Sequence, residues 1–451
     1  MNQPTKPSRT GITGWPRDTA SDLRTPAENS QKIVLSLSYG RIVIKPPEKL
    51  HGLVPESFET YQIVNPGDIV LRTIDLQNDH TSLRVGMVRD RGIITSAYLA
   101  LHMHVGVSPD FGFQFLNVWD ASKAIYGYGS GLRQNLDFSH FKRMPVAVPP
   151  PVEQAAIVRF LDWANGRLER AIRAKRKVIA LLNEQKQTII HRAVTRGLDP
   201  SVPLKPSGIP WLGDIPQHWE LTRLKHISSE ITVGIVIQPA RLYVGNGVSC
   251  LRSLNISSGR LSSDDLVFIS KESHKKNSKS QLRKGDVVVV RTGRTGIAVA
   301  IDDQFDGANC VDLLIIRKSH RLSSEYLLLY LGSYGAKADI AFKSVGAIQA
   351  HYNTETLGNL RIPLPSITEQ ATILRSLETQ LSPTDNTISR MTREIEFLRE
   401  YRTCLFADVV TGKLDVRAAA AQLPDDAAPD TAKDDAGLII DSEAIDEELA
   451  E

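Results

Sequence analysis

The chain has 451 residues, of which 41% are hydrophobic and 23% charged, a composition typical of a globular protein with two or three domains. No apolar run approaches the ~18 residues that a membrane span needs, and the three cysteines match no metal or disulfide spacing. We therefore expect a cytoplasmic protein with no membrane contact and no metal site.

The charge is distributed unevenly along the chain. Residues 418–451 carry a net charge of −10, so that residues 1–417 carry +13 within a total of +3. A basic body indicates a polyanionic partner such as nucleic acid, or only a basic solvated surface, and charge alone does not separate these two interpretations.

The first predicted domain covers residues 32–150 and follows a segment, residues 1–31, whose Pro, Ser and Thr content predicts disorder. Alternating apolar residues predict strands at 32–44, folded around a Tyr39-Gly40 turn. Further elements are predicted as a turn at 65–68, strands at 69–72 and 92–100, and a helix at 114–126.

A helical spacer is predicted at residues 151–204. Apolar residues recur at three- and four-residue steps from Leu161 to Ala193, which is typical of a helix packed lengthwise on a partner helix. We expect Asn165-Gly166 to break it into a short helix and a long one of about 30 residues, or roughly 45 Å.

A second mixed domain is predicted at residues 205–362, entered through a strap rich in proline and tryptophan at 208–219. It echoes the first domain, because residues 284–291 resemble 66–72 in a Gly-Asp turn, an apolar strand and an arginine. Residues 347–351 also lie 216 positions after 131–135.

A second helical spacer at 363–416 repeats the first. Residues 144–199 align without a gap to 360–415 at an offset of 216, with 15 of 56 pairs identical. Ser382-Pro383 interrupts this copy near the equivalent of Asn165-Gly166, and the acidic residues 417–451 are predicted to be disordered. The sequence predicts an α+β protein in which two mixed α/β domains are separated by two long antiparallel helices in a pseudo-twofold repeat.

Motifs of catalysis are missing from the sequence. It has no phosphate-binding GxxxxGK[ST] loop, no Asn-Pro-Pro-aromatic tetrapeptide, no Gly-x-Ser-x-Gly elbow and no histidine cluster with ligand spacing. We predict no catalytic residue and no metal ligand in this chain.

The paired Pro-x-x-x-Glu-Gln-x-x-Ile elements at 149–157 and 365–373, the long helices behind them and the strap resemble the specificity subunits of type I restriction–modification enzymes. The Gly-Asp-strand-Arg elements and the phrase Ser-Leu-Arg…Gly-Ile-Ile-Thr-Ser-Ala-Tyr at 82–98 also resemble this family. One departure is that the Trp-Glu strap has no counterpart before the first domain.

The resemblance implies two target-recognition domains, each reading half of a bipartite site in double-stranded DNA. It implies that the helices set the spacer and dock two methyltransferase subunits, with restriction and translocase subunits joining this core. No cofactor is expected on this chain, since S-adenosylmethionine, ATP and Mg would belong to the partners.

Candidate DNA-reading residues are those at equivalent places in both domains, because arginine reads guanine and amides read adenine. They are Arg72, Thr73, Arg133, Gln134 and Asn135 in the first domain and Arg291, Thr292, Arg294, Gln349 and His351 in the second. An equally weighted alternative is that Arg72 and Arg291 brace their own strand ends.

Partner docking is assigned to the Glu-Gln pairs that both repeat copies share, Glu153, Gln154, Glu369 and Gln370. Two other function classes stay open. One is a coiled-coil scaffold that never contacts DNA, and the other is a self-sufficient DNA methyltransferase or nuclease.

Overall fold

The computed structural model describes residues 20–22, 33–46, 61–74, 83–104, 106–125, 138–141, 146–257, 259–344 and 352–424. These residues form two compact units. The first combines the described chain up to Lys175 with the described chain from Thr392 onward, and the second contains Arg176–Met391. Each unit therefore holds one of the mixed domains and about half of each long helix. None of the helices in the described part of the chain combines the length and the apolar content of a membrane span.

The first unit contains strands β1 to β8. In chain order they are Ala20–Asp22, Leu35–Ser38, Arg41–Ile44, Tyr61–Val64, Ile69–Leu71, Val85–Met87, Gly92–Thr95 and Leu99–Met103. Antiparallel pairing gives a sheet of order β1-β8-β5-β6 and the pairs β2-β3 and β4-β7. Helices α1 (Pro109–Ala121) and α2 (Phe138–Phe141) follow, and α3 (Pro151–Arg196) begins in this unit. One face of the sheet and α1 share a core with Ile157 and Leu161 of α3.

The second unit contains strands β9 to β22. In chain order they are Leu204–Pro206, Asp214–Pro216, Glu220–Arg223, Ile231–Val233, Tyr243–Val244, Val248–Leu251, Ile256–Ser257, Arg260–Leu261, Val267–Ile269, Val287–Val290, Ala298–Ala300, Asn309–Cys310, Leu313–Ile316 and Arg361–Leu364. Its larger sheets have the orders β12-β21-β18-β19 and β13-β17-β14-β20, beside the pairs β9-β10, β11-β22 and β15-β16.

The remaining helices complete the described chain. They are α4 (Lys271–Lys276), α5 (Ser324–Leu331), α6 (Tyr334–Ser344), α7 (Thr354–Gly358), α8 (Ile367–Val410) and α9 (Arg417–Ala421), with short 3-10 turns at Leu224–His226, Pro239–Leu242, Ser253–Asn255 and Ser278–Ser280. In the second unit, Trp219 of the strap is buried among residues of α3, α5 and α8.

The two long helices run antiparallel, as the repeat predicted. In the first unit Lys175 pairs with Glu394 at 2.6 Å and Arg402 with Glu169, so that higher numbers on α3 meet lower numbers on α8. In the second unit Lys186 pairs with Asp385 at 2.5 Å. The predicted seam positions Ile172, Leu377, Leu381 and Ile395 are buried.

The predicted helix breaks at Asn165-Gly166 and Ser382-Pro383 are wrong. Both α3 and α8 continue through these positions. A glycine inside a helix costs only about 1 kcal/mol and a proline about 3 kcal/mol relative to alanine, and burial of the apolar seam on either side outweighs these costs. Pro383 itself is exposed, so its ring needs no room in the seam.

Other predicted boundaries of strands and helices also differ from those in the structure. The β2-β3 hairpin has the predicted turn, with positive φ at Tyr39 and Gly40. The strand predicted at 92–100 is two strands, β7 and β8, because Ser96 and Ala97 turn between them. Helix α1 begins before the predicted residue 114, since the Ser108 hydroxyl caps it and Pro109 occupies its first turn.

Regular structure also occurs in segments predicted to be disordered. Strand β1 lies within residues 1–31 and pairs with β8, and α9 lies within residues 417–451. The rest of both predicted segments, apart from residues 422–424, lies outside the described residues.

Candidate functional site

The Gly-Asp turn precedes a central strand in both domains, and its aspartate is a structural residue. The buried Asp68 accepts a hydrogen bond from the Asn65 backbone N–H at 2.7 Å and contacts His102 Nδ1 at 2.8 Å. Buried Asp286 accepts the corresponding hydrogen bond from a backbone N–H three residues earlier, at 2.9 Å, and pairs with Arg317 at 2.6 Å. Each carboxylate thereby ties its turn to the neighbouring strand.

The segment after β5 carries the candidate readers Arg72 and Thr73. The Arg72 side chain is exposed, whereas Thr73 is buried and is a poor candidate for base contact. Arg84, from the phrase that carries the family resemblance, donates from Nη1 to the carbonyls of Arg72 at 3.3 Å and Ile74 at 2.6 Å. In this domain the brace of the strand end is Arg84, so the alternative that Arg72 is the brace is not supported.

In the second domain the loop after β18 carries Arg291, Thr292 and Arg294. Arg291 Nη1 pairs with Asp312 Oδ1 at 3.0 Å, and Thr292 Oγ1 donates to Asp312 Oδ2 at 2.8 Å. Here the alternative is supported, because Arg291 holds a carboxylate at the end of the neighbouring strand. Arg294 lies further along the loop and is partly exposed.

The other candidate readers, Arg133, Gln134, Asn135, Gln349 and His351, lie outside the residues that the structure describes. Their assignment as DNA-reading residues remains a prediction from their equivalent positions in the repeat.

The glutamines of the Glu-Gln pairs are buried and bond within the chain, and the partner contact predicted for Gln154 and Gln370 stays a prediction. Gln154 accepts from the Ser108 N–H at 2.8 Å and donates to the carbonyls of Gly106 at 2.6 Å and Pro149 at 2.8 Å. Its amide ties the first turn of α3 to the loop before α1.

Gln370 makes the equivalent hydrogen bonds at the start of α8 in the second unit. It accepts from the Ser323 N–H at 2.9 Å and donates to the carbonyls of Arg321 at 2.8 Å and Pro365 at 3.0 Å. A buried amide with all these partners stabilises the junction between a domain and its helix.

The two glutamates are also engaged within the chain. Glu369 accepts from Trp219 Nε1 at 2.9 Å and contacts His218 Nε2 at 3.1 Å, which fastens the strap to the start of α8. Glu153 lies 4.0 Å from Arg417, in the segment after α8. Arg159 donates to the Leu423 carbonyl at 2.7 Å, so in the first unit this segment contacts the start of α3.

Sequence reasoning missed a surface that the structure exposes on the long helices. Leu181 is 55% exposed and Phe397, its equivalent at the offset of 216, is 67% exposed. Each has an exposed basic residue four positions before it and an exposed glutamate three positions after it. We call these two triads the outer patches, and they consist of Lys177, Leu181 and Glu184 on α3 and Arg393, Phe397 and Glu400 on α8.

The outer patches lie away from the seam, which the equivalent ion pairs mark on both helices. Glu169 and Lys186 of α3 are the repeat equivalents of Asp385 and Arg402 of α8. Across the seam, Lys186 forms an ion pair with Asp385, and Arg402 forms one with Glu169. The signal for the patches was available in the sequence as apolar residues off the heptad seam at equivalent positions.

The described residues lack a cluster of metal ligands and bury two of their three thiols. No set of His, Cys, Asp and Glu side chains there has the arrangement of a metal site. Burial raises the pKa of the Cys250 thiol to about 12, and burial also raises the pKa of Cys310. Both thiols therefore stay protonated at neutral pH and are poor nucleophiles.

Comparison with known proteins places these features in a family. Residues 235–396 match the family described as type I restriction modification DNA specificity domain. The chain is 25% identical over 364 residues to the type I restriction enzyme MjaVIII specificity subunit of Methanocaldococcus jannaschii, covering 79% of this chain and 81% of that protein. It is 24% identical to the EcoBI specificity subunit of Escherichia coli, covering 64% of each chain.

A solved structure shares the fold. A chain from a study of complex assembly and conformational transition in the type I restriction–modification system aligns with a TM-score of 0.61 at 14% identity, covering 90% of this chain and all of that one. The solved structure shows the shared fold, and the domain match together with the related sequences supports a specificity subunit of a type I restriction–modification system. The two mixed α/β domains of this chain are accordingly called recognition domains below.

Proposed function

We propose that the two recognition domains each read one half of a bipartite double-stranded DNA site. The observation that carries this proposal is the same Gly-Asp turn, central strand and Arg-Thr pair in both domains, followed by different loop residues. A shared scaffold with divergent loops suits two half-sites of different sequence. Base contacts are assigned to Arg72, Arg291, Arg294 and the candidate readers outside the described residues.

Salt-dependent binding tests this proposal. The chain bound to its methyltransferase subunit should bind duplex DNA with an affinity that falls steeply as salt rises, because cationic side chains release counterions from phosphates. Binding that does not respond to salt would instead support the scaffold alternative. A matched measurement without the chain separates its contribution from that of the methyltransferase subunit.

The long helices are proposed to set the spacer between the half-sites. Both are continuous, at 46 residues for α3 and 44 residues for α8, and a helix rises about 1.5 Å per residue. A continuous helix transmits a change in length, whereas a broken one would absorb it. This stiffness supports the role of a ruler.

Docking of two methyltransferase subunits is proposed at the outer patches. The Glu-Gln pairs first assigned to this role are engaged within the chain, whereas the outer patches are exposed and recur in both repeat copies. An apolar anchor flanked by a base and an acid suits a helical partner surface with complementary charges. Since the patches repeat, each suits one copy of the same subunit. Restriction subunits are proposed to join this core.

Catalysis is proposed to belong to the partners, with S-adenosylmethionine, ATP and Mg bound there. The relatives that support this are themselves specificity subunits. The isolated chain should not bind S-adenosylmethionine in calorimetry, whereas its complex with the methyltransferase subunit should. Binding by the isolated chain would favour the self-sufficient enzyme.

A further inference from the structure

The carboxylate of Asp312 organises the loop that follows β18 in the second recognition domain. It lies between β20 and β21, directly before Leu313, which pairs with Val290 at the end of β18. Its two oxygens take separate partners, Arg291 Nη1 at 3.0 Å and Thr292 Oγ1 at 2.8 Å. Asp312 also has a φ of +52°, an uncommon conformation for a residue other than glycine.

The loop that starts at Arg291 is closed at its base. The Gly296 N–H returns to the Val290 carbonyl at 3.0 Å, and the Tyr352 N–H donates to the Arg291 carbonyl at 3.3 Å. Gly293 has a φ of +81° and no atom within 4 Å of its would-be side chain, so this part of the loop faces open space. A tight base and an exposed tip are properties of a loop that reaches for a ligand.

The first recognition domain lacks this carboxylate. It has the same Arg-Thr pair, but the residue directly before the paired Leu99 is Tyr98 rather than an aspartate. The Asp312 contacts are therefore a property of the second domain and not of the shared scaffold. A difference between the domains at this place is expected if it serves the sequence of one half-site.

A carboxylate beside DNA repels phosphates and so lowers the affinity for DNA, unless it also holds DNA-contacting side chains in their binding conformation. Arginine has five N–H groups in a planar fork, and Asp312 takes only one of its nitrogens. Because Nε is buried and Asp312 holds Nη1, the fixed fork directs the remaining N–H donors, chiefly those on Nη2, toward a base such as guanine. The Arg291 side chain is 25% exposed, which leaves part of it accessible.

We infer that Asp312 is a positioning residue, which holds Arg291 and Thr292 so that the loop at 291–296 reads the second half-site in one conformation. This inference rests on the proposed reading of a bipartite site. It assigns Arg291 a double role, since the same contact that braces the strand end also aims the guanidinium.

The experiment uses Asp312→Asn in the full chain, bound to its methyltransferase subunit. Its DNA target is first mapped from methylated bases in the host, and binding is then measured to that duplex, to duplexes altered in either half-site, and to an unrelated duplex. We expect discrimination at the second half-site to fall roughly 10-fold, while discrimination at the first is unchanged. Binding to the unrelated duplex at low salt should rise or stay level, because a negative charge is lost.

Asp303→Asn is the matched control, since Asp303 is an exposed aspartate of the same unit that pairs with Lys284 at 2.7 Å. It should leave discrimination at both half-sites unchanged. Asp312→Glu, which retains the charge, should recover part of the discrimination lost in Asp312→Asn.

Two results would overturn the inference. Discrimination by Asp312→Asn equal to that of the unaltered chain would remove the positioning role, and an equal loss at both half-sites would indicate general destabilisation instead. If the unaltered complex itself does not discriminate at either half-site, the proposed function fails first and the inference falls with it.

Discussion

At the residue scale, the two domains place the same aspartate in the same turn and give it different partners. Arg317 is buried and also donates to the carbonyls of Gln281 and Lys279 at 2.7 and 2.6 Å, whereas about half of the His102 side chain is exposed. The consequence of losing the partner should therefore differ between the domains.

Replacing Arg317 with alanine should destabilise the second unit by about 3–5 kcal/mol, because it leaves Asp286 buried without its cation. His102→Ala should cost less in the first unit, since water can reach Asp68 once the half-exposed ring is removed. Denaturant unfolding of both variants checks the order. A smaller loss for Arg317→Ala than for His102→Ala would contradict the structural role assigned to Asp286.

The buried glutamines give a second prediction at this scale. Gln154→Ala and Gln370→Ala should each lower the free energy of unfolding by about 1–3 kcal/mol, because each leaves backbone groups without partners. Val152→Ala is the control in the first turn of α3, since Val152 is largely exposed. Glutamine variants as stable as this control, but deficient in subunit assembly, would restore the original docking role.

How far the sequence predicts residue roles is visible in these glutamines. Their positions were found because both repeat copies keep them, but their structural role in joining each domain to its helix was not predicted. Gln154 accepts from the backbone N–H of Ser108, 46 positions away, and Gln370 from that of Ser323, 47 positions away. Since every residue except proline has a backbone N–H, the sequence does not show which one will be the partner. Arg84 was missed as a brace for the same reason, since it bonds to carbonyls.

At the element scale, the helices were predicted in place and direction but not in continuity. The spacing of apolar residues correctly predicted which face of each helix is buried. The low helix propensity of Gly166 and Pro383 predicted breaks that the structure does not have. Burial along the seam sums over many residues and exceeds a penalty confined to one position. Local signals are therefore least reliable where long-range packing is strongest.

The two outer patches predict that one chain binds two methyltransferase subunits, one at each patch. Leu181→Glu and Phe397→Glu should each leave the chain folded, because exposed substitutions change stability by about 0.5 kcal/mol or less, and each should remove one bound methyltransferase subunit. The double variant should bind none. Mass measurement of the assembled complex reports the count.

Ile237→Glu is the matched control, because Ile237 is 81% exposed and lies in a recognition domain rather than on a helix. It should retain both subunits. If a variant in a single patch lost both subunits, Leu181 and Phe397 would not belong to two independent binding sites.

The continuity of the helices predicts a change in the spacer. Inserting four residues after Arg176 in α3 and four after Met391 in α8 lengthens each helix by about 6 Å, close to two base pairs at 3.4 Å each. The permitted spacer should lengthen while both half-site sequences stay the same. Methylated-base mapping in cells carrying the variant reports both quantities, and an unchanged spacer would refute the ruler.

At the scale of the whole molecule, the repeat predicted an α+β protein with two long antiparallel helices, and the structure has this fold class. The offset of 216 predicted two long helices that pack antiparallel, and the ion pairs between α3 and α8 agree with this packing, whereas the domain bounds stay predictions. It did not locate the DNA-reading atoms. Loops such as 291–296 differ between the copies, so equivalence identifies their place and not their chemistry.

The proposed function requires that this chain specifies one bipartite DNA site for a methyltransferase. Methylated bases should be mapped across the genome of the host with the gene present, deleted and restored. We expect one motif of two half-sites with a fixed spacer, lost on deletion and regained on restoration. A motif that persists in the deletion strain, or a restored motif without a spacer, would contradict it.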